Sequence, residues 1–168
     1  EIYDENTGQL YKKTWENNMR DSKKERISNP KGKKGYTKVT WIPDFDKFEL
    51  EKYNKTILSI YYRYVYDAAM LTGVTVYLND RKISFKNLTE YAKCYGEDTE
   101  MISFKSKDCN VVLTPSKGID FEHISFTNGV FNKDGGVHVE QWSESIFRPL
   151  LSKINKPKKP QLNIKDVK

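Results

Sequence analysis

The chain has 168 residues, of which 37% are hydrophobic and 13% aromatic, and it carries a net charge of +6. This length and apolar content predict a folded protein with a buried core and exclude a disordered polypeptide. No apolar run approaches the roughly 18 residues that span a membrane, and no signal peptide is recognisable, so we expect an intracellular protein without membrane contact.

The first elements are predicted to be strands. Residues 2–3 and 9–15 flank a polar turn and predict a hairpin, and residues 17–34 are lysine-rich and predict an exposed loop. Residues 36–42 are β-prone and predict a further strand, which Pro43 ends. Since the chain begins in a strand and without a methionine, we expect it to be a fragment of a longer polypeptide.

Residues 46–71 have helical spacing and predict the longest helix, with Gly73 as its left-handed cap. The predicted polar side of this helix includes Arg63 and Asp67. Tyrosines on the apolar side can stack on bases, but beside aliphatic residues at helical spacing they are expected to lie in the core.

The next elements lead to a domain boundary. Residues 74–85 predict a second hairpin and residues 88–95 a short helix, and a polar, acidic stretch places the boundary between residues 97 and 98. Three strands of one meander are predicted beyond it, at residues 101–105, 110–114 and 124–131.

A glycine-rich turn and a helix close the predicted order of elements. Gly135 and Gly136 tolerate positive φ, and apolar residues from Val139 to Ile154 recur at three- and four-residue spacing. A proline inside a helix costs roughly 3 kcal/mol, so Pro149 predicts a kink or a stop and restart. Alone, a Gly-Gly turn before a helix is most often only a tight connection.

The positive charge is confined to two segments. Residues 12–38 carry a local charge of +7 and residues 153–168 one of +5, which leaves −6 for the rest of the chain. Patches of this kind are expected where a protein meets a polyanion.

The two cysteines, Cys94 and Cys109, give no disulfide framework and no metal-ligand spacing. Only His123 and His138 offer imidazoles, so no metal site is predicted. We expect buried thiols in a reducing compartment.

Three segments resemble one protein family in their order and spacing. They are YKKTWENNM at residues 11–19, GYTKVTWIPDFDKF at residues 35–48 and FEHISFTNGVFNKDGGVHVEQW at residues 121–142. Together they resemble the type II DNA topoisomerases in their eukaryotic and viral form, which are related to gyrase B, over nearly the whole chain.

The resemblance implies an α+β fold in two parts. Residues 1–97 would be the C-terminal part of a GHKL-type ATPase domain, a partial sandwich of a mixed sheet with a long helix. Residues 98–168 would be the N-terminal part of the transducer domain, a β-meander followed by a helix. The implied activity couples ATP binding and hydrolysis to DNA strand passage and relaxation of supercoils.

The resemblance also implies an ATP-binding residue. Thr37, six residues before Pro43, matches a threonine that helps to hold adenine through a water shared with a carboxylate. The alternative is a threonine selected for its β-propensity.

The remaining matches concern coupling and DNA. Asn128, Gly135, Gly136 and His138 match the strand-to-helix junction that would transmit the nucleotide state. Four lysines after the last helix match a cluster that faces captured double-stranded DNA, and the alternative is a solvated tail. They are Lys153, Lys156, Lys158 and Lys159.

The resemblance implies ATP and Mg²⁺ as cofactors, a homodimer, and a location in the nucleus or at a viral replication site. In the family, the groups that activate water, hold Mg²⁺ and cradle the phosphates precede the first residue here, and the DNA-cleaving tyrosine follows the last. We therefore expect no catalytic residues, and no ATP hydrolysis or DNA cleavage by this chain alone. The alternative is a non-enzymatic, basic nucleic-acid-binding module that shares the transducer-like layer.

Overall fold

The computed structural model describes residues 1–30, 32, 34–96, 100–116, 120–155 and 161–166. Its contacts divide the chain into two compact units, Glu1–Ile57 and Leu58–Lys168. The predicted domain boundary, between residues 97 and 98, lies outside the described residues and stays a prediction. Helices combined with antiparallel sheets confirm the predicted α+β class.

The first unit is built on short strands. These are Ile2–Asp4 (β1), Gln9–Lys12 (β2), Trp15–Glu16 (β3), Asp21–Ser22 (β4), Arg26–Ser28 (β5) and Tyr36–Thr37 (β6). Four of them form a sheet in the order β5-β2-β1-β6, and β3 pairs with β4 in a separate hairpin. The described pairings are all antiparallel, including those of the sheet that the resemblance led us to expect as mixed.

The buried side of this sheet is held by Tyr3 and Leu10, which pair across β1 and β2. The Tyr3 ring stacks on that of Tyr36 with 6.1 Å between centroids, and its hydroxyl donates to the Pro30 carbonyl at 3.0 Å. The predicted opening hairpin is therefore confirmed.

The predicted loop at residues 17–34 is partly wrong, since it contributes β4 and β5 to strand pairings. Its polar sequence concealed β5 because all three residues of this edge strand are exposed. The strand predicted at residues 36–42 is shorter and contains only Tyr36–Thr37.

The long helix begins later than the sequence predicts. A 3₁₀ turn at Asp46–Phe48 ends at Glu49, whose φ of +53° interrupts the helical path. The α-helix α1 then spans Lys55–Thr72, and Asn54 Oδ1 accepts a hydrogen bond from the Ile57 amide at 3.0 Å near its start. Gly73, with a φ of +67°, follows the helix as predicted.

The second unit takes up α1 from Leu58 onward, and its described residues form two further α-helices, three hairpins and a last 3₁₀ turn. The elements are Val76–Leu78 (β7), Arg81–Ile83 (β8), Leu88–Ala92 (α2), Ile102–Lys105 (β9), Asn110–Leu113 (β10), Ser125–Thr127 (β11), Val130–Asn132 (β12), Val137–Ile154 (α3) and the 3₁₀ turn Ile164–Asp166. The strands pair as β7–β8, β9–β10 and β11–β12.

The strand predicted at residues 124–131 is a hairpin. Asn128 and Gly129 have φ values of +50° and +81°, which a two-residue type I′ turn requires. The chain therefore reverses between β11 and β12, and the described strands form separate pairs where a three-stranded meander was predicted.

Helix α3 continues through Pro149 without interruption, so the predicted stop and restart is wrong. The Ser152 hydroxyl donates to the Pro149 carbonyl at 2.8 Å in the following turn.

Among the described residues, no helix has the length and apolar character needed to cross a bilayer. The prediction of buried thiols is also wrong, because Cys94 is exposed and Cys109 half-buried.

Candidate functional site

Thr37 lies on the side of the first sheet that carries exposed apolar residues. In the strand register Thr37 is opposite Ile2, Ile2 is opposite Tyr11, and Tyr11 is opposite Ile27. Directly paired residues project on the same side of a sheet, so these four form one row, which we call the open row.

The open row is largely apolar, and its isoleucines are exposed in the described part of the chain. Ile2 is 51% exposed and Ile27 63%, whereas the opposite side holds the buried Tyr3 and Leu10. A sheet surface that combines apolar side chains with the hydroxyls of Thr37 and Tyr11 suits a planar heteroaromatic ring, whose faces pack on apolar groups and whose nitrogens form hydrogen bonds. Adenine has this character.

The Gly-Gly turn connects β12 to α3 through two backbone conformations that favour glycine. Gly135 has a φ of +74° and Gly136 one of +148°. A Cβ on Gly135 would lie 3.0 Å from Nε2 of His123, so the imidazole packs against a position that only glycine leaves free. The Val139 amide donates to the Gly136 carbonyl at 2.9 Å in the first turn of α3.

Both histidines near this turn have a buried nitrogen with no hydrogen-bond partner among the described residues. These atoms are Nδ1 of His123 and Nε2 of His138. His138 lies next to Gly136, where an added Cβ would be 3.3 Å from its Nδ1. Each of the two glycines therefore has an imidazole ring close to its Cα.

Asn128 occupies a different place from the Gly-Gly turn. It lies at the tip of the β11–β12 hairpin, and residues 129–134, which include β12, separate it from the Gly-Gly turn along the chain. Asn128 and Gly129 line a cavity of about 560 Å³ together with residues of α1, including Asp67 and Leu71.

Sequence reasoning missed a polar network between α1 and the following elements. Asp67, predicted on the polar side of the helix, is only 6% exposed. Its Oδ1 accepts a hydrogen bond from the Tyr91 hydroxyl at 2.5 Å, and its Oδ2 lies 3.5 Å from Nε of Arg63. The Tyr91 hydroxyl is also 2.8 Å from that of Tyr95.

Arg63 connects this network to the hairpin that carries Asn128. Its guanidinium carbon lies 3.6 Å from the ring centroid of Phe131 in β12. Phe131 in turn packs on Phe126, and Phe126 packs on Tyr91. Burial of the Tyr91 hydroxyl and its hydrogen bond to Asp67 raise the pKa of this tyrosine above its ordinary value.

The predicted DNA-binding lysines are only partly described. Lys153 lies in the last turn of α3, whereas Lys156, Lys158 and Lys159 lie outside the described residues.

The part of the chain that the structure describes holds no group of three or more His, Cys, Asp or Glu side chains placed to bind a metal.

The chain is similar to curated proteins named DNA topoisomerase 2. Identity is 36% over 91% of the chain with the protein of Invertebrate iridescent virus 6, and 35% over 98% with that of Meyerozyma guilliermondii. It is 33% over 95% with the protein of Acanthamoeba polyphaga mimivirus. The chain spans only 14%, 13% and 13% of the lengths of these relatives.

The fold is similar to solved structures of the ATPase region of Saccharomyces cerevisiae topoisomerase II. One such structure covers 91% of this chain with a TM-score of 0.77 and 30% identity, and the chain covers 41% of it. A second, bound to ICRF-187 (dexrazoxane), gives a TM-score of 0.78 at 31% identity, with 91% and 42% covered. No protein-family model matches the chain.

Proposed function

The chain is homologous to a segment of the ATPase region of type II DNA topoisomerases, and on this premise we propose its function. It contributes to an enzyme that couples ATP binding and hydrolysis to DNA strand passage and relaxation of supercoils. The observation that supports this function best is agreement in both sequence and fold over most of the chain.

A basic nucleic-acid-binding module without enzymatic activity is the weaker alternative. Such a module would account for the two charged segments but would have no use for a nucleotide-facing sheet. The sequence similarity reaches 98% of the chain and so includes the sheet that carries Thr37. This breadth favours the topoisomerase.

The proposal is tested with a chimera in which this chain replaces the homologous segment of Saccharomyces cerevisiae topoisomerase II. We expect the chimera to relax supercoiled DNA in an ATP-dependent reaction, because the replaced segment has the same fold. A yeast enzyme lacking the segment is the control. A chimera that folds and binds DNA but shows no ATP-dependent relaxation would contradict the proposal.

Within this enzyme, residues 1–97 form the end of the ATPase domain and residues 98–168 the start of the transducer domain. ATP binds against the open row, with the Thr37 hydroxyl contributing to adenine recognition. The open, apolar surroundings of Thr37 support this assignment. We place the residues that hold Mg²⁺ and the phosphates in other parts of the enzyme.

Replacing Thr37 with valine in the chimera is expected to weaken ATP binding about tenfold, because one buried hydrogen bond is worth about 1 kcal/mol or slightly more. Valine keeps the shape and β-propensity of threonine and removes only the hydroxyl. The measurement is the Kd of a non-hydrolysable ATP analogue by calorimetry. Thr37→Ser, which retains the hydroxyl, serves as the control, and equal affinities of the valine and serine variants would exclude the adenine role.

The proposed connection through which the nucleotide state reaches α3 and the DNA consists of the Gly135–Gly136 turn, His138 and Asn128.

Four lysines contact the backbone of captured duplex DNA, because phosphate contacts need charge without sequence readout. They are Lys153, Lys156, Lys158 and Lys159. The complete enzyme is a homodimer. Its location is the nucleus or a viral replication site, since its relatives come from eukaryotes and viruses.

A further inference from the structure

The basic segment at residues 12–38 has no role in the proposed function, yet several of its cationic side chains line one groove. A cavity of about 470 Å³ lies in the first unit. Its lining residues are Lys12, Thr14, Lys23, Lys24, Glu25 and Arg26. Four cations therefore surround the groove against a single carboxylate.

The strand pairing creates this concentration of charge. Lys12 in β2 lies directly opposite Arg26 in β5, and like charges at such positions destabilise a sheet. The Lys23 amide donates to the Thr14 carbonyl at 2.9 Å, which extends the β3–β4 pairing by one residue and places Lys23 next to the segment that follows β2. The fold thus retains a repulsive arrangement that an anion would relieve.

The counter-charges near the groove are weakly bound. Lys12 pairs with Glu1 at 2.9 Å and Lys23 with Glu16 at 2.6 Å, and both pairs are largely exposed. Exposed ion pairs contribute little to stability because solvent and salt screen them, so phosphates can displace them. Lys24 and Arg26 have no ion-pair partner in the described parts of the chain.

We propose that this groove binds the phosphate backbone of duplex DNA, as a second contact separate from the C-terminal lysines. The described residues that line the groove carry no aromatic ring on which an unpaired base could stack, which favours a duplex over a single strand. The groove borders β5, an edge strand of the sheet, and a rod-shaped polyanion can lie along an exposed edge. The choice of DNA rests on the proposed function, whereas the anion site itself rests on the charges.

The test compares two double variants of the 168-residue chain, with folding checked by circular dichroism. Lys24→Ala with Arg26→Ala removes the two unpaired groove cations. Arg81→Ala with Lys82→Ala removes two exposed cations of the β7–β8 hairpin, outside the groove, and is the matched control. Binding to a fluorescent duplex of about 30 base pairs is measured by anisotropy across a salt series.

The groove variant is expected to bind about tenfold more weakly at 0.1 M salt, with a log Kd against log salt slope lower by about 2, since each lost phosphate contact contributes about 0.9. The control variant is expected to keep the original slope. Lys24→Arg with Arg26→Lys conserves the charges and should retain binding. A groove variant with an unchanged slope would overturn the proposal.

Two further experiments identify which lysines and which anionic ligand account for the binding. Alanine at Lys153, Lys156, Lys158 and Lys159 should lower the slope by an additional, independent amount; if these four account for the whole slope, the groove has no role. Equal loss of binding to phosphatidylserine vesicles and to DNA would overturn the commitment to DNA. The relaxation assay of the chimera is independent of these binding measurements. The DNA contact at the groove and the topoisomerase function can therefore each be contradicted without the other.

Discussion

Replacing Tyr91 with alanine is expected to lower the free energy of unfolding by about 4 kcal/mol, the largest effect among the substitutions considered. Tyr91 is 2% exposed, and its ring packs on Phe85 and Phe126 at 5.4 and 6.1 Å between centroids. Truncation removes these contacts and leaves the buried Asp67 carboxylate without its hydroxyl donor. The measurement is urea unfolding followed by circular dichroism.

Two conservative variants separate the ring from the hydroxyl. Tyr91→Phe retains the ring and should lose only about 1–2 kcal/mol, the usual loss when a buried acceptor is left unpaired. Tyr95→Phe, at a ring that is 45% exposed, should lose little. A Tyr91→Phe variant as unstable as Tyr91→Ala would show that the hydrogen bond, and not packing, holds this part of the unit together.

Replacing Gly135 with valine is expected to destabilise the chain by about 3 kcal/mol and to impair coupling. A side chain in the left-handed region costs roughly 1–2 kcal/mol, and overpacking adds about 1–3 kcal/mol. Here φ is +74° and the new Cβ would lie 3.0 Å from Nε2 of His123. In the chimera, we expect strand passage to fall more than nucleotide binding, because the turn lies between β12 and α3.

Gly129 provides the matched control for this turn. It has a similar φ of +81°, but apart from its chain neighbours no atom of the described residues lies within 4 Å of its added Cβ. Gly129→Ala should therefore show only the backbone strain, and Gly135→Ala should be worse by the displacement of His123. Combining Gly135→Ala with His123→Ala should recover that difference. Equal losses in strand passage and nucleotide binding by the valine variant would count against a coupling role.

Local signals allowed much of the fold to be predicted. The opening hairpin, the β7–β8 and β9–β10 hairpins and helix α3 all follow from turn residues and hydrophobic spacing within a few positions. The Asn128–Gly129 turn carried an equally local signal. It was overlooked because each flanking strand has only three residues, so the pair of strands looks like one continuous β-prone run.

The start of α1 and the burial of Asp67 depend on information that helical spacing does not contain. The helical spacing of apolar residues extends back through the 3₁₀ turn at Asp46–Phe48. It therefore gives no sign that the backbone leaves the helical conformation at Glu49. Asp67 is buried because Tyr91, 24 positions later, supplies a hydroxyl, and no pattern within one helix reveals such a distant donor. The candidate site was predicted in part for the same reason: Thr37 and the glycines were found by their motifs, and the network was not.

The stacking of Arg63 on Phe131 has a mechanical consequence. A guanidinium held 3.6 Å from a ring centroid, and drawn towards a buried carboxylate on its own helix, joins α1 to the β11–β12 hairpin beside the cavity of about 560 Å³ that both elements line. We expect a shift of α1 to reach the hairpin first through this contact, and the two glycines that follow β12, with φ values of +74° and +148°, to give the backbone the freedom to absorb it.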